Sequence, residues 1–227
     1  DCDEDLLDNV GQRSSGMPAE FIRRADDALA LFERQLQSAV SVSVRNVVLT
    51  VRLPAGVTPK RNVKVLPLIS ELARDTLSDR EAVVTIGDLE RGAPQAVLLE
   101  VMVEPKPAGT FRIAQAEVSY DAPGGAQERV RADAVVTFTN EVIPPGEANA
   151  VVLNYAEKAN AHRLVTRVLD EYKKTGKATT KLHASVTQIL DPETQRLLEQ
   201  ASVGGGLSAE EVKTIGNKTR KLSQRLD

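Results

Sequence analysis

Aromatic side chains are scarce in this sequence: four Phe, three Tyr and no Trp, 3% of the chain. That argues against a stacking platform for single-stranded nucleic acid and against an aromatic sugar groove. Basic charge is not in excess either, since 29 Lys and Arg stand against 32 Asp and Glu for a net charge of −3. No global positive field exists to hold DNA or an anionic membrane. The single cysteine excludes an intrachain disulfide framework and a thiolate-rich zinc site. Two histidines leave little for a transition-metal centre. No run approaches the roughly 20 apolar residues that a membrane-spanning helix needs. No GxSxG, HExxH, GxxxxGK[ST] or GxGxxG occurs. Nor does a basic n-region with an apolar h-region follow Asp1, so the first residues do not read as a signal peptide.

What is present is a chain of 227 residues with 41% apolar content, enough to bury a core. Its hydrophobic period changes twice. Residues 3–13 read as a short helix with acids in the first turn, and residues 20–23 as a brief strand. Residues 25–40 carry Ala25, Leu29, Phe32, Leu36 and Ala39 at helical spacing. This helix–strand–helix edge over 1–41 has too few elements to bury its own apolar faces.

From residue 42 the period becomes two. Val47, Leu49, Val51 and Leu53 alternate, and strands are expected also at 62–66, 82–87, 95–104, 111–121 and 128–139. Residues 95–104 are Val- and Leu-rich on both faces and predict a central strand. Phe111 and Ile113 alternate in one phase and Val118 and Tyr120 in the other, which calls for a β-bulge near Gln115. In the last strand Val130, Ala132, Ala134, Val136 and Phe138 share a face. These segments predict an antiparallel β-sandwich over 42–143.

Pro144-Pro145-Gly146 closes that region and helical periodicity returns. Residues 148–174 predict one long helix, ended by Gly176, with Val152, Tyr155 and Ala159 on one face. Residues 177–190 predict a second, making a helical hairpin, and Pro192 opens a third with Leu197 and Leu198. The hairpin region spans 144–203. Gly204-Gly205-Gly206 reads as a flexible hinge, and Ser208 with Glu211 as a capping box. Over 204–227, Val212, Ile215, Thr219, Leu222 and Leu226 form a heptad-like seam too short for an independent coiled coil. That helix has to dock on its own chain or on a partner. The fold class is thus α+β.

Candidate sites are few. Asp1, Asp3, Glu4 and Asp5 lack calcium-loop spacing and read as an acidic helix start. Cys2 has no CxxC partner. His162 and His183 fall on the two helices of the hairpin, without a carboxylate pattern to complete a site; they read as structural or solvent-facing. The triple glycine lacks the strand that a phosphate loop requires. Lys213, Lys218, Arg220, Lys221 and Arg225 make the terminal helix basic, and its charged face reads as solvated around the apolar seam, with the acidic first forty residues as a possible counterpart.

The runs DEDLLDNVGQRSSG and EFIRRADDALALFERQLQSAV resemble the penultimate helix, edge strand and final helix of a von Willebrand factor type A (VWA) domain. VRNVVLTVRLPAGV, VTIGDLERGAPQAVLLEVMVEP and FRIAQAEVSYDAPG are similar to the β-sandwich that follows this domain in bacterial VWA proteins, and the tail ending in TRKLSQRL resembles the same family. The resemblance implies a metal-ion-dependent adhesion site built from DxSxS, a Thr and an Asp. No DxSxS occurs here, so no ligand is carried over, and Mg is expected only in a VWA portion outside this chain. Cys2 and GMPAEFI depart from the more aromatic family pattern. The expected function is a non-enzymatic interaction or scaffold module, with no cofactor in this chain and with protein partners. The expected partner is the remaining VWA portion, separate or omitted, and the expected compartment is the cytoplasm. Leu29, Phe32 and Leu36 would meet that portion. Val212, Ile215, Leu222, Leu226, Lys218, Arg220 and Lys221 would meet a partner if the tail assembles a homo-oligomer or filament, which is the alternative reading. An enzyme with an unrecognised site is the third.

Overall fold

The computed structural model describes residues 42–72, 78–141 and 149–224, together with Val10 and Glu33. The expectations for the helix–strand–helix edge over 1–41, including Leu29, Phe32 and Leu36, and for Leu226 lie outside the described residues. The rest forms two units. Of the described residues, one takes 42–63, 71–72 and 78–141; the other takes 64–70 and 149–224.

The first unit is a sandwich of two sheets, apart from residues 64–66 at the end of one strand and Ser70 of another, which fall in the second. Strands β1 (Val42–Arg52), β4 (Glu81–Glu90), β6 (Gly109–Asp121) and β7 (Gln127–Phe138) form one sheet in the order β4-β1-β6-β7, with every pairing antiparallel. Strands β2 (Val57–Leu66), β3 (Ser70–Glu71) and β5 (Ala96–Val103) form the other, in the order β3-β2-β5. The core is built around Val47, Val84 and Ile86, with Leu49, Val97 and Val118 packed against them. It draws on both sheets, as alternating apolar positions on facing strands require. The Pro123-Gly124-Gly125 turn joins β6 to β7, with Gly124 and Gly125 at φ 104° and 86°, where a side chain would be strained. The expected bulge is present two residues earlier than its sequence position: one extra residue of β6, Ile113, lies between the Arg112↔Val135 and Ala114↔Ala134 pairs, while β7 has none between them.

Two expectations for the strands are corrected. The Val- and Leu-rich segment at 95–104 is an edge strand, and the centre of its sheet is β2. Asn62, Val63, Lys64 and Val65 are all buried, as a strand covered on both faces demands. The polar Asn62 and Lys64 hide that position from a hydrophobicity count. The clean apolar face of β7 is not buried either. Every residue from Gln127 to Thr137 is exposed, because the core cluster reaches β1, β4, β5 and β6 but contains no residue of β7.

The second unit is helical. Helix α1 (Ala150–Thr175) starts where the Asn149 side chain accepts from the N–H groups of Val151 and Val152, 3.0 and 3.3 Å away. It ends at Gly176, whose φ of 72° lets its N–H reach Tyr172 O at 2.8 Å. Ala159, Ala161, Val165, Val168 and Leu169 line its buried side. Val152, expected on that side, is exposed; partial burial begins at Asn154 and full burial at Lys158.

The second hairpin helix is much shorter than its periodicity suggested: α2 covers only Ala184–Ile189. The Glu171 carboxylate captures Thr179 Oγ1 and both the N–H and hydroxyl of Thr180, and Ala178 N–H bonds to Ala201 O at 3.1 Å. These bonds keep 177–182 out of helix, offering its backbone an alternative to the helix ladder. Helix α3 (Pro192–Ser202) follows as expected, with Asp191 as its cap and Leu197 and Leu198 buried.

The triple glycine is not a free hinge. Gly205 N–H bonds to Gln200 O at 2.9 Å, and the Gln200 amide reaches back to Gly206 O at 2.7 Å. Helix α4 (Ala209–Arg220) has the reciprocal Ser208–Glu211 capping box. It then tightens into a 3₁₀ turn at Lys221–Gln224 instead of running on as α-helix.

Candidate interaction surface

The outer face of the β6–β7 ribbon carries a row of charges set by register. Glu117 stands opposite Arg131 and Gln115 opposite Asp133. Glu117 is only 6% exposed, yet it is ionised between two guanidinium groups, accepting from Arg131 Nε and, at 3.5 Å, from Arg52 Nη2. The Arg131 hydrogen bond holds its carboxyl below the usual carboxylate range; burial pushes upward, and Arg52 adds to the lowering. Asp133 accepts from Gln115 Nε2 at 3.0 Å and from Arg112 Nη1 at 3.5 Å. On the inner face Tyr120 donates to Glu128 at 2.8 Å. Beyond these, β7 shows water three valines, Val130 at 58%, Val135 at 55% and Val136 at 40% exposure. Among the described residues this long strand is paired on one side only and is apolar in part, the features of a surface open to protein contact.

The residues singled out in the terminal helix behave differently. Ile215 is fully buried and Leu222 is 2% exposed, with α4 packed on α1 and α3. Val212 is half-buried. The seam therefore docks on the chain's own helices, which takes Ile215 and Leu222 away from any tail-mediated assembly. Lys218 is paired at home too, with Asp191 at 2.9 Å and with Glu193. Arg220 and Lys221 also have partners within the structure. Arg220 contributes its carbonyl to the N–H of Ile69, 2.8 Å away.

The two histidines do not meet. His183 is exposed at the start of α2. His162 is buried, with Nδ1 3.0 Å from Thr219 Oγ1. Thr219 has one hydroxyl proton, and it goes to Gly216 O at 2.9 Å. The histidine nitrogen therefore donates, which fixes the proton on Nδ1. This is a structural contact between α1 and α4. A groove of about 520 Å³ in the same unit is lined by Thr180, Thr187, Gln195, Leu198 and Ser202 among others. Gln195 in its lining is engaged inward, donating to Thr187 O and Leu190 O, both at 2.8 Å.

Sequence reasoning missed Lys64, Glu117 and Glu171. Lys64 is 2% exposed, and burial lowers its ammonium to about 8. No sequence signal marks these three, since each depends on a neighbour or an environment remote in the chain. Among the described residues no group of three or more His, Cys, Asp or Glu is placed to hold a metal ion. No described helix is long and apolar enough to cross a membrane, which says nothing of a β-barrel.

This fold has a solved counterpart. A structure described as von Willebrand factor type A from Catenulispora acidiphila superposes with a TM-score of 0.69 at 14% identity, covering 88% of this chain and 51% of that one. The chain thus spans about half the length of the protein it matches, and the likeness is one of fold. Weaker likenesses go to BcpA, the major pilin subunit of Bacillus cereus, with a TM-score of 0.31 at 15% identity over 42% of this chain and 30% of that one. The ArnB paralog VWA2 from Sulfolobus acidocaldarius gives a TM-score of 0.29 at 13% identity, over 85% and 45%. Neither carries an argument. No family model and no curated protein matches the sequence. The shared fold confirms the α+β class with antiparallel sheets and helices expected from periodicity.

Proposed function

We propose that this chain is a non-enzymatic protein-interaction module, the scaffold part of a bacterial VWA protein. In this reading the metal-ion-dependent adhesion site and its Mg belong to a VWA portion outside residues 1–227. The sandwich and helical unit support that portion, and the protein works in the cytoplasm. The observation that carries the reading is the fold match, at a TM-score of 0.69, to half of a protein described as von Willebrand factor type A. The chemistry of the chain supports it. The displaced carboxylates Glu117, Glu171 and Asp191 are each occupied in holding one element of the fold to another or capping it. Catalytic groups are instead aimed into a cleft with a nucleophile–base geometry.

The test is the composition of the native particle. The protein is isolated from its natural source without denaturant, then weighed natively and after denaturation. The reading expects residues 1–227 to travel with VWA sequence containing DxSxS, in the same or a second polypeptide, and the particle to bind Mg. A particle holding only copies of residues 1–227 would overturn it.

A further inference from the structure

The four-stranded sheet has two edges, and they are built differently. At β4 the pairing with β1 is broken three times, at Val42/Val44, Val44/Val47 and Val47/Val48, with Asn46 at φ 52°. Such irregularities twist an edge away from foreign strands. At β7 the pairing with β6 runs without interruption from Ala114↔Ala134 to Asp121↔Gln127, and β7 contains no Pro. β7 is 12 residues long and almost wholly exposed. Among the described residues no strand pairs with its outer edge, and apart from its charges and the one bulge of β6 beside Ala134 and Val135 that edge lacks the devices that sheets use to prevent edge-to-edge pairing.

Those charges select a partner. We propose that β7 pairs antiparallel with β7 of a second copy of this chain, centred on Ala132, to join two sheets into one. A two-fold axis perpendicular to the sheet keeps each face on its own side, so even positions meet even and odd meet odd. Centring on Ala132 sets Arg131 opposite Asp133 of the second copy, and Asp133 opposite its Arg131. Val130 then faces Ala134, and the aliphatic stem of Arg129 lies along Val135. On the outer face the charges alternate across the seam, from Glu117 to Arg131 to Asp133 of the second copy to its Arg112. Centring one residue away in either direction sets Arg131 against Arg131 or Asp133 against Asp133. Like charges directly opposite destabilise a ladder, so the register is specified as well as the partner. This inference is independent of whether a VWA portion accompanies the chain.

The experiment is sedimentation or light scattering of the full chain and two variants, Arg131→Asp and Asp133→Arg. The wild type is expected at twice its 24.5 kDa mass, dissociating on dilution. Each variant alone places like charges across the seam and is expected to be monomeric. An equimolar mixture of the two restores opposite charges at both positions and is expected to form a heterodimer, as is the double variant with itself. Arg131→Asp also removes a partner of Glu117, so circular dichroism checks that it folds. Amide exchange of the wild type gives a measure that needs no variant: alternate amides of Gln127–Thr137 should gain protection as concentration rises. A wild type that stays monomeric at its solubility limit overturns the proposal. So does a dimer insensitive to both substitutions, or a mixture that fails to associate.

Discussion

Lys218 Nζ lies 2.9 Å from Asp191 Oδ1, on the same carboxylate that caps α3 by accepting from Thr194 N–H at 3.2 Å and Thr194 Oγ1 at 2.6 Å. One side chain thus starts one helix and ties down another. Burial raises the Asp191 pKa, but the Thr194 bonds and Lys218 outweigh it and bring it down to about 2. Asp191→Ala should destabilise the protein by about 1–2 kcal/mol, the usual worth of an N-cap. Asp191→Asn keeps a capping acceptor and should cost less. Lys218→Ala should cost about 0.5 kcal/mol, as for a partly exposed pair. Urea unfolding of the three variants checks the order, and equal costs for Ala and Asn at 191 would remove the cap from the explanation.

Glu171 gives a pH prediction. The hydroxyls of Thr179 and Thr180, followed by their backbone, lower its pKa from 4.5 to about 2. A carboxyl depressed in the folded state contributes stability that is complete above its unfolded pKa and disappears as pH falls through the folded value. The wild type should therefore lose stability between about pH 4.5 and pH 2, and Glu171→Gln should show a shallower loss over that window. Thermal unfolding followed through helical circular dichroism at stepped pH measures the difference.

The buried Lys64 gives a slope of the same sign at the alkaline end, from a different cause. Burial lowers its pKa from 10.5 to about 8. Between those values the unfolded chain holds the proton more firmly than the folded one, so stability rises with pH, by up to about 1.4 kcal/mol per pH unit. Lys64→Met should flatten that rise between pH 8 and 10.5. Chemical denaturation across the range reads it directly, and an unchanged slope would show that Lys64 does not titrate there.

Gly205 and Gly206 separate a tied turn from a free hinge. A Cβ on Gly205 would sit 2.6 Å from Gln200 Cγ and 3.0 Å from Gln200 O, whereas one on Gly206 meets nothing within 4 Å. Gly205→Ala should cost about 1–3 kcal/mol through overpacking. Gly206→Ala should stay within about 0.5 kcal/mol of wild type. Differential scanning calorimetry of both would decide, and a flexible linker would tolerate them equally.

Much of the architecture was legible in the sequence. The alternating period from residue 42 and the helical period after Pro144-Pro145-Gly146 correspond to the strands from Val42 to Phe138 and the helices from Ala150. The bulge in β6, the Ser208 capping box, Pro192 at the start of α3 and the stop at Gly176 were each readable, because turns, caps and bulges depend on residues close in the chain. The 177–182 segment was misread because its backbone is claimed by Glu171 and Ala201 from other helices.

What the sequence determined by itself is the set of elements and their polarity: which stretches alternate, which wind, and where each begins or stops. What only the tertiary structure decided is which faces are covered. Val130 and Val136 have the same pattern as buried strand residues, yet the core cluster does not extend over β7 and they meet water. Ile215 and Leu222 have the pattern of a seam awaiting a partner, yet α4 docks on α1 and α3. Periodicity is local, whereas burial depends on neighbours brought together by long-range packing.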